Sequence, residues 1–256
     1  MMLNLRKRKN RLNNQNYLIY KSRNFLRDFF VAKNYNRIEM KLESNGILIG
    51  LRPTGERDSV AHIFTREYGM LHGIMRGASV AKKNRALVGQ VGLAIWNARL
   101  ESQLGAFHWE SNENLSVNLM GDMRTLSCMN SMFALIDVLL PEREAYTNLY
   151  DETVAALKKM LVDNTMDIYL NWEMVLLREL GYALDLSHCS GCGKTQDLHY
   201  LSPKTGRAVC NDCAAPYINK LYRLPLTLGT TMRFISNVCG QQGVDIPAAR
   251  LYLSRI

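Results

Sequence analysis

Cys189, Cys192, Cys210 and Cys213 form two Cys-x-x-Cys pairs separated by seventeen residues. Two residues between cysteines let a tight turn aim both thiolates at one point. A spacer long enough for a hairpin lets two such turns complete a tetrahedron of sulfurs around zinc. Gly191 and Gly193 supply the permissive backbone that such a turn needs. A disulfide framework is the alternative. It is disfavoured because the chain shows no convincing secretory signal and cytosolic proteins rarely keep structural disulfides. All four ligands are thiols, so no position is left for water, and the expected Zn2+ is structural, not catalytic. His188, beside the first pair, reads as a surface neighbour. Cys128 and Cys239 sit in apolar segments and read as buried free thiols.

A second set of residues could bind charge. Arg76 closes a strand, and Lys82, Lys83 and Arg85 follow it in one loop. Arg52 and Arg57 flank the first turn, and Arg99 falls on the expected fourth strand. Loops at one rim of a small barrel can gather such cations along a groove that tracks a phosphate backbone, while aromatic rings stack bases. A solvated loop with no partner explains the same residues equally well. Covalent chemistry is harder to find. The chain has no phosphate-binding glycine loop, no His-Glu-x-x-His and no Gly-x-Ser-x-Gly elbow. His62, His72, His108, His188 and His199 are scattered. Asp137, Glu142, Glu144, Glu173 and Glu179 fall on helices at the spacing of solvated faces. The chain is therefore read as a non-enzyme.

These residues need elements to position them. From Leu42 to Glu110 the hydrophobic period is two. Gly46–Leu51 is a first strand ending at an Arg52-Pro53-Thr54-Gly55 turn, and Asp58–Thr65 is a second. Met70–Arg76, Gln90–Leu100 and Gly105–Trp109 follow. Five short strands joined by turns predict a small closed barrel, although an open sheet would read similarly. From Leu126 to Leu186 the period becomes helical. Stripes through Met129–Leu139, Tyr146–Leu161 and Tyr169–Leu180 predict three packed helices, with Pro141 ending the first and Gly181 the third. The cysteine hairpin follows, and then a last stripe at Met232, Phe234, Ile235 and Val238.

The net charge of +9 is uneven. Residues 1–39 hold ten Lys or Arg against Asp28 and Glu39, so the remainder is almost neutral. This leader reads as a basic nucleic-acid arm, as a targeting segment, or as translated upstream sequence before a true start at Met40; the last is favoured. The overall basicity is thus weak support for a nucleic-acid partner. No apolar run reaches the ~18 residues that suggest a membrane helix, so no membrane partner is expected.

The segment Gly46–Asp58, with Phe64-Thr65, Gly69 and Arg76-Gly77, resembles the opening of the RecO family of bacterial DNA repair proteins. Trp172-Glu173-x-x-Leu176-Leu177-x-x-Leu180-Gly181-Tyr182, running into Cys189-x-x-Cys192-Gly193, continues the resemblance over roughly residues 40–250. It implies an α+β multidomain fold: an N-terminal five-stranded OB-fold barrel, a helical bundle, and a zinc-ribbon-like insertion carrying the four cysteines. The expected division is 1–39 leader, disordered or mis-assigned; 40–115 OB-fold; 116–187 helical domain; 188–222 cysteine module; 223–256 return to the helical domain. It also implies a recombination mediator that binds single- and double-stranded DNA and anneals complementary strands. Its implied partners are RecR, the C-terminal tail of single-strand binding protein and, indirectly, RecA, in the cytoplasm at the nucleoid. Many relatives lack some of these cysteines, so the metal reads as a structural aid. Three departures stand out: the leader, a basic loop after Arg76 sparser than usual, and an early C-terminus. A protein-binding zinc-ribbon adaptor without DNA binding is the alternative function.

Overall fold

Alternating apolar residues build five strands: β1 (Met40–Thr54), β2 (Asp58–Thr65), β3 (Gly69–Met75), β4 (Gln90–Ala98) and β5 (Gly105–Asn114). The computed structural model describes residues 40–78, 85–100, 103–182, 184–253 and 255. The leader at 1–39, with Lys82 and Lys83, lies outside the described residues. The chain divides into two compact units, one of residues 1–40 and 98–103 and one of residues 41–97 and 104–256. The second carries the elements described below.

The strands close in the order β1-β2-β3-β5-β4, with β3 and β5 parallel and the other registered pairs antiparallel. Leu48, Ile63 and Leu71 are register partners, so they share one face, and all three are buried. Ile47, Phe64 and Met70 share the opposite face, and they too are buried, within the core that the helices complete. Period-two alternation therefore appears in β2 without a polar face, because both faces are covered. Trp96 is buried and donates its indole N–H to the His72 carbonyl at 2.8 Å. Gly69 turns β2 into β3 with φ +64°, and a Cβ there would lie 1.7 Å from the Glu144 carbonyl oxygen.

Several boundaries differ from the sequence reading: β1 begins at Met40, β3 ends at Met75 so that Arg76 lies in the turn after it, and β5 runs on to Asn114. Arg52, Pro53 and Thr54 continue β1, and the turn falls at Gly55–Arg57. Pro53 is tolerated so near the end of a strand because little ladder pairing remains to be lost. Likewise β4 stops at Ala98, so Arg99 lies in the bend after it and not on the strand.

Helices follow: α1 (Leu115–Leu119), α2 (Met123–Leu139), α3 (Thr147–Lys159) and α4 (Thr165–Glu179). Asp122 starts α2 by accepting from the Thr125 amide at 2.8 Å, and Asn164 starts α4 by accepting from the Met166 amide at 3.1 Å. Their buried faces meet around Met132, Ile136, Leu149, Trp172 and Leu176. The chain then forms β6 (Leu198–Leu201), β7 (Ala208–Cys210), α5 (Asn211–Ala214), a 3-10 turn (Ala215–Lys220) and β8 (Tyr222–Arg223), with strand order β7-β6-β8. It returns through α6 (Leu228–Gln242) and α7 (Ala248–Leu253) to the main core, where Ile235, Val238 and Leu253 are buried. Met232 is only half-buried; Thr231 takes the inward position.

One carboxylate expected on a solvated face is buried instead. Glu173 of α4 is wholly inaccessible and pairs with Arg250 of α7, equally inaccessible, while Tyr169 donates to the same carboxylate at 2.5 Å. Arg250 also donates to the Leu228 carbonyl and the Thr231 hydroxyl. Helical spacing alone could not place Glu173 inward, because its partner lies 77 residues further on.

Candidate metal centre and nucleic-acid interface

The two cysteine pairs converge. Each of Cys189, Cys192, Cys210 and Cys213 brings its sulfur within 4.8 Å of the others. The first pair sits on a knuckle in which the Gly193 amide donates to the Cys189 carbonyl at 2.9 Å and the Cys189 amide to the Lys194 carbonyl at 2.7 Å. Gly191 lets the knuckle approach the second pair closely, since a Cβ there would stand 2.9 Å from Cys213 Sγ. The second pair straddles the end of β7 and the start of α5, so one strand and one helical turn fix its spacing.

Cys189 Sγ accepts from the Cys210 amide at 3.3 Å and the Gly191 amide at 3.4 Å. These backbone donors, Cys210 first, bring the Cys189 thiol down to about 6, while contact with Cys192 and its neighbours drives Cys213 up to about 12. Four thiols this close cannot all ionise without a cation among them. Cys192 Sγ and Cys210 Sγ stand 3.6 Å apart. That is far longer than a disulfide, and all four are free cysteines. A Zn–S bond of about 2.3 Å implies sulfurs about 3.8 Å apart in a tetrahedron. The residues therefore fit a four-coordinate metal. The module also has little else to hold it: its buried cluster is Cys189, Val209, Cys210 and Ala214.

Among the described residues of the second unit, the predicted cations differ in their surroundings. Arg76 and Arg85 line one open groove of about 990 Å³, with Phe107, His108 and Trp109 along β5. Gln90 braces it by accepting from the Trp109 indole at 3.2 Å and the Leu87 amide at 3.1 Å. Arg57 is exposed in the β1–β2 turn, and the neighbouring Asp58 accepts from the Gly77 amide at 2.9 Å, so that turn abuts the Arg76 corner. Glu110 also lines the groove and pairs with His108 at 3.0 Å. Arg52 instead donates to Asp137 of α2 at 3.1 Å. Arg99 belongs to the other compact unit.

Similarity to known proteins decides the family. The chain matches the family model "Recombination protein O N terminal" over residues 40–110 and "Recombination protein O C terminal" over residues 120–239. It is 38% identical over 191 residues to the DNA repair protein RecO of Jannaschia sp., covering 73% of this chain and 77% of that one. The chain belongs to the RecO family. The RecO of Dinoroseobacter shibae is 40% identical over 185 residues, covering 70% of this chain and 76% of the relative. That of Granulibacter bethesdensis is 34% identical over 187 residues, covering 71% and 74%. As a member of the RecO family, the chain is a DNA repair protein. Among the described residues, no helix is long and apolar enough to cross a membrane.

Sequence reasoning missed another cluster. His62 of β2 and His72 of β3 are direct register partners, and Asp137 of α2 reaches both. In the sequence the two histidines look scattered and Asp137 looks like a solvated helix residue, yet Asp137 is only 18% exposed. The available signal was the register: β2 and β3, joined by a Tyr68-Gly69 turn, place His62 opposite His72.

Proposed function

We propose that this RecO-family chain is a non-enzymatic recombination mediator that binds single- and double-stranded DNA, anneals complementary strands and helps load RecA onto DNA coated by single-strand binding protein. The observation that carries the reading is the match of both family models along one chain, with Arg76, Arg85 and Trp109 gathered on one groove of the barrel. Guanidinium groups neutralise phosphate, and the face of an aromatic ring offers a base a surface to stack on. Annealing needs no bond made or broken, only reduced repulsion between two strands and bases held free to pair.

In this reading the barrel is an OB-fold over 40–115, and the helical domain covers 116–187, with 223–256 returning to it. The module at 188–222 is zinc-ribbon-like, with Zn2+ held by Cys189, Cys192, Cys210 and Cys213. Arg57, Arg76 and Arg85 are the proposed DNA contacts of the described barrel, with Lys82, Lys83 and Arg99 beside them in sequence and Arg52 in a lesser role because Asp137 holds it. RecR and the tail of single-strand binding protein are the proposed protein partners, and the nucleoid is the proposed location.

The direct test mixes two complementary oligonucleotides with the purified chain and follows duplex formation without nucleotide or other co-substrate. Annealing faster than the spontaneous rate is expected. A chain that binds neither strand nor duplex, yet captures RecR, overturns the reading in favour of a protein-binding adaptor.

A further inference from the structure

A second set of ligand-type side chains meets away from the cysteines. His62 Nδ1 lies 2.5 Å from Asp137 Oδ1, and His72 Nε2 lies 3.5 Å from the same oxygen. The two rings meet edge to face with centroids 4.2 Å apart. His62, His72 and Asp137 can each direct one ligand atom so that all lie within 4.8 Å of one another.

The fold makes room for this meeting. A register irregularity between Leu48 and Gly50 sets Gly50 beside His62. A Cβ on Gly50 would press to 3.3 Å from the His62 Cβ and 3.4 Å from its ring, so glycine there gives the imidazole room beside β1. After α2 the chain returns against β3. Met70 and Glu142 form a bridge, and the Arg143 amide donates to the Met70 carbonyl at 3.0 Å. That return brings the Glu142 carboxylate onto His72 Nδ1.

Three features distinguish this arrangement from a chance cluster of polar groups. His72 Nε2 is buried and has no hydrogen-bond partner, an unsatisfied nitrogen facing Asp137 Oδ1. Glu142 holds the other nitrogen of the same ring, so Nε2 is the ring atom left to face Asp137. Carboxylates commonly orient metal-bound histidines in this way. Arg52 occupies Asp137 Oδ2 at 3.1 Å, so the oxygen left for a ligand role is the one facing both rings.

We propose that His62, His72 and Asp137 form a second metal site, for a first-row divalent cation of the zinc class, with Glu142 as the residue that orients His72. Two imidazoles and one carboxylate suit such a cation, and three protein ligands leave a position for water. The bound ion ties β2 and β3 of the barrel to α2. The site is chemically distinct from the cysteine centre, and the proposal does not depend on DNA binding.

The test uses the full chain stripped of metal and titrated with Zn2+, and in parallel with Co2+, which reports thiolate ligation by a sulfur-to-metal absorption band. Two equivalents of Zn2+ are expected. With Co2+, the equivalent that fills the cysteine site carries the thiolate band. The other equivalent adds no further thiolate band, and with Zn2+ it shifts the ring resonances of His62 and His72. His72→Gln, which keeps a donor for Glu142, should lose the second equivalent and retain the first. A single equivalent in the unaltered chain at saturating Zn2+ overturns the proposal. So does a second equivalent that leaves both rings unmoved or survives His72→Gln. The ring resonances are read on the unaltered chain, so they decide the matter even where a variant folds poorly.

Discussion

The barrel–helix body and the cysteine module solve the same problem by different means. The body buries Phe64, Met132, Trp172, Leu176, Ile235 and many more apolar side chains in one continuous core. Burial of this kind stabilises by roughly 1.5–3 kcal/mol per large side chain. The module's own cluster has four buried residues, two of them cysteines, while Leu201 of its three-stranded sheet joins the main core. Apolar burial on that scale does not offset the entropy of ordering its loops. The contrast teaches where each region must find its stability: the body has apolar burial to draw on, whereas the module has four converging sulfurs that a metal can tie together.

The sharpest way to break this contrast is to remove the metal. Zinc binding in small modules contributes on the order of 10 kcal/mol to folding. Cys210→Ser, which leaves the histidine cluster untouched, should therefore abolish amide protection in β6 and β7 while α2 and α4 stay protected, as read by hydrogen exchange. Equal loss in both regions would show that they fold as one unit. The next effect belongs to the body. Glu173→Ala leaves Arg250 charged and buried without its carboxylate, which should lower stability by about 3–5 kcal/mol in denaturant unfolding. Zinc content should be unchanged. A parallel loss of zinc would tie the module to that pair. Smaller again is Thr227→Ala at the start of α6, where the hydroxyl accepts from the Thr230 amide at 3.3 Å. A loss of about 1 kcal/mol is expected in the same assay. No change would mean that packing alone starts that helix.

Much of this contrast was legible in the sequence. The Cys-x-x-Cys spacing places four sulfurs together because a two-residue turn leaves few other directions. The bounds of β2 follow from alternation ended by Tyr68-Gly69. The rest depended on contacts between distant residues. Glu173 reads as solvated until Arg250 arrives beside it. Asp137 reads as surface until β2 and β3 present two histidines to it. Strand β8 has two residues, too few to show a period. Arg52 and Arg76 look equivalent as cations near turns, yet one is held by Asp137 and the other lines the groove.

The central claim, that the barrel groove binds nucleic acid, is tested most directly by fluorescence anisotropy of a single-stranded oligonucleotide over a salt series. The unaltered chain is compared with Arg76→Ala/Arg85→Ala. Counterion release predicts binding that weakens steeply with salt and shows little preference among sequences. The double variant should bind more weakly, with a log–log salt slope smaller in magnitude by about 0.7 for each phosphate contact removed. Unchanged affinity and slope in a variant that melts at the same temperature would contradict the assignment and move the contacts away from this groove.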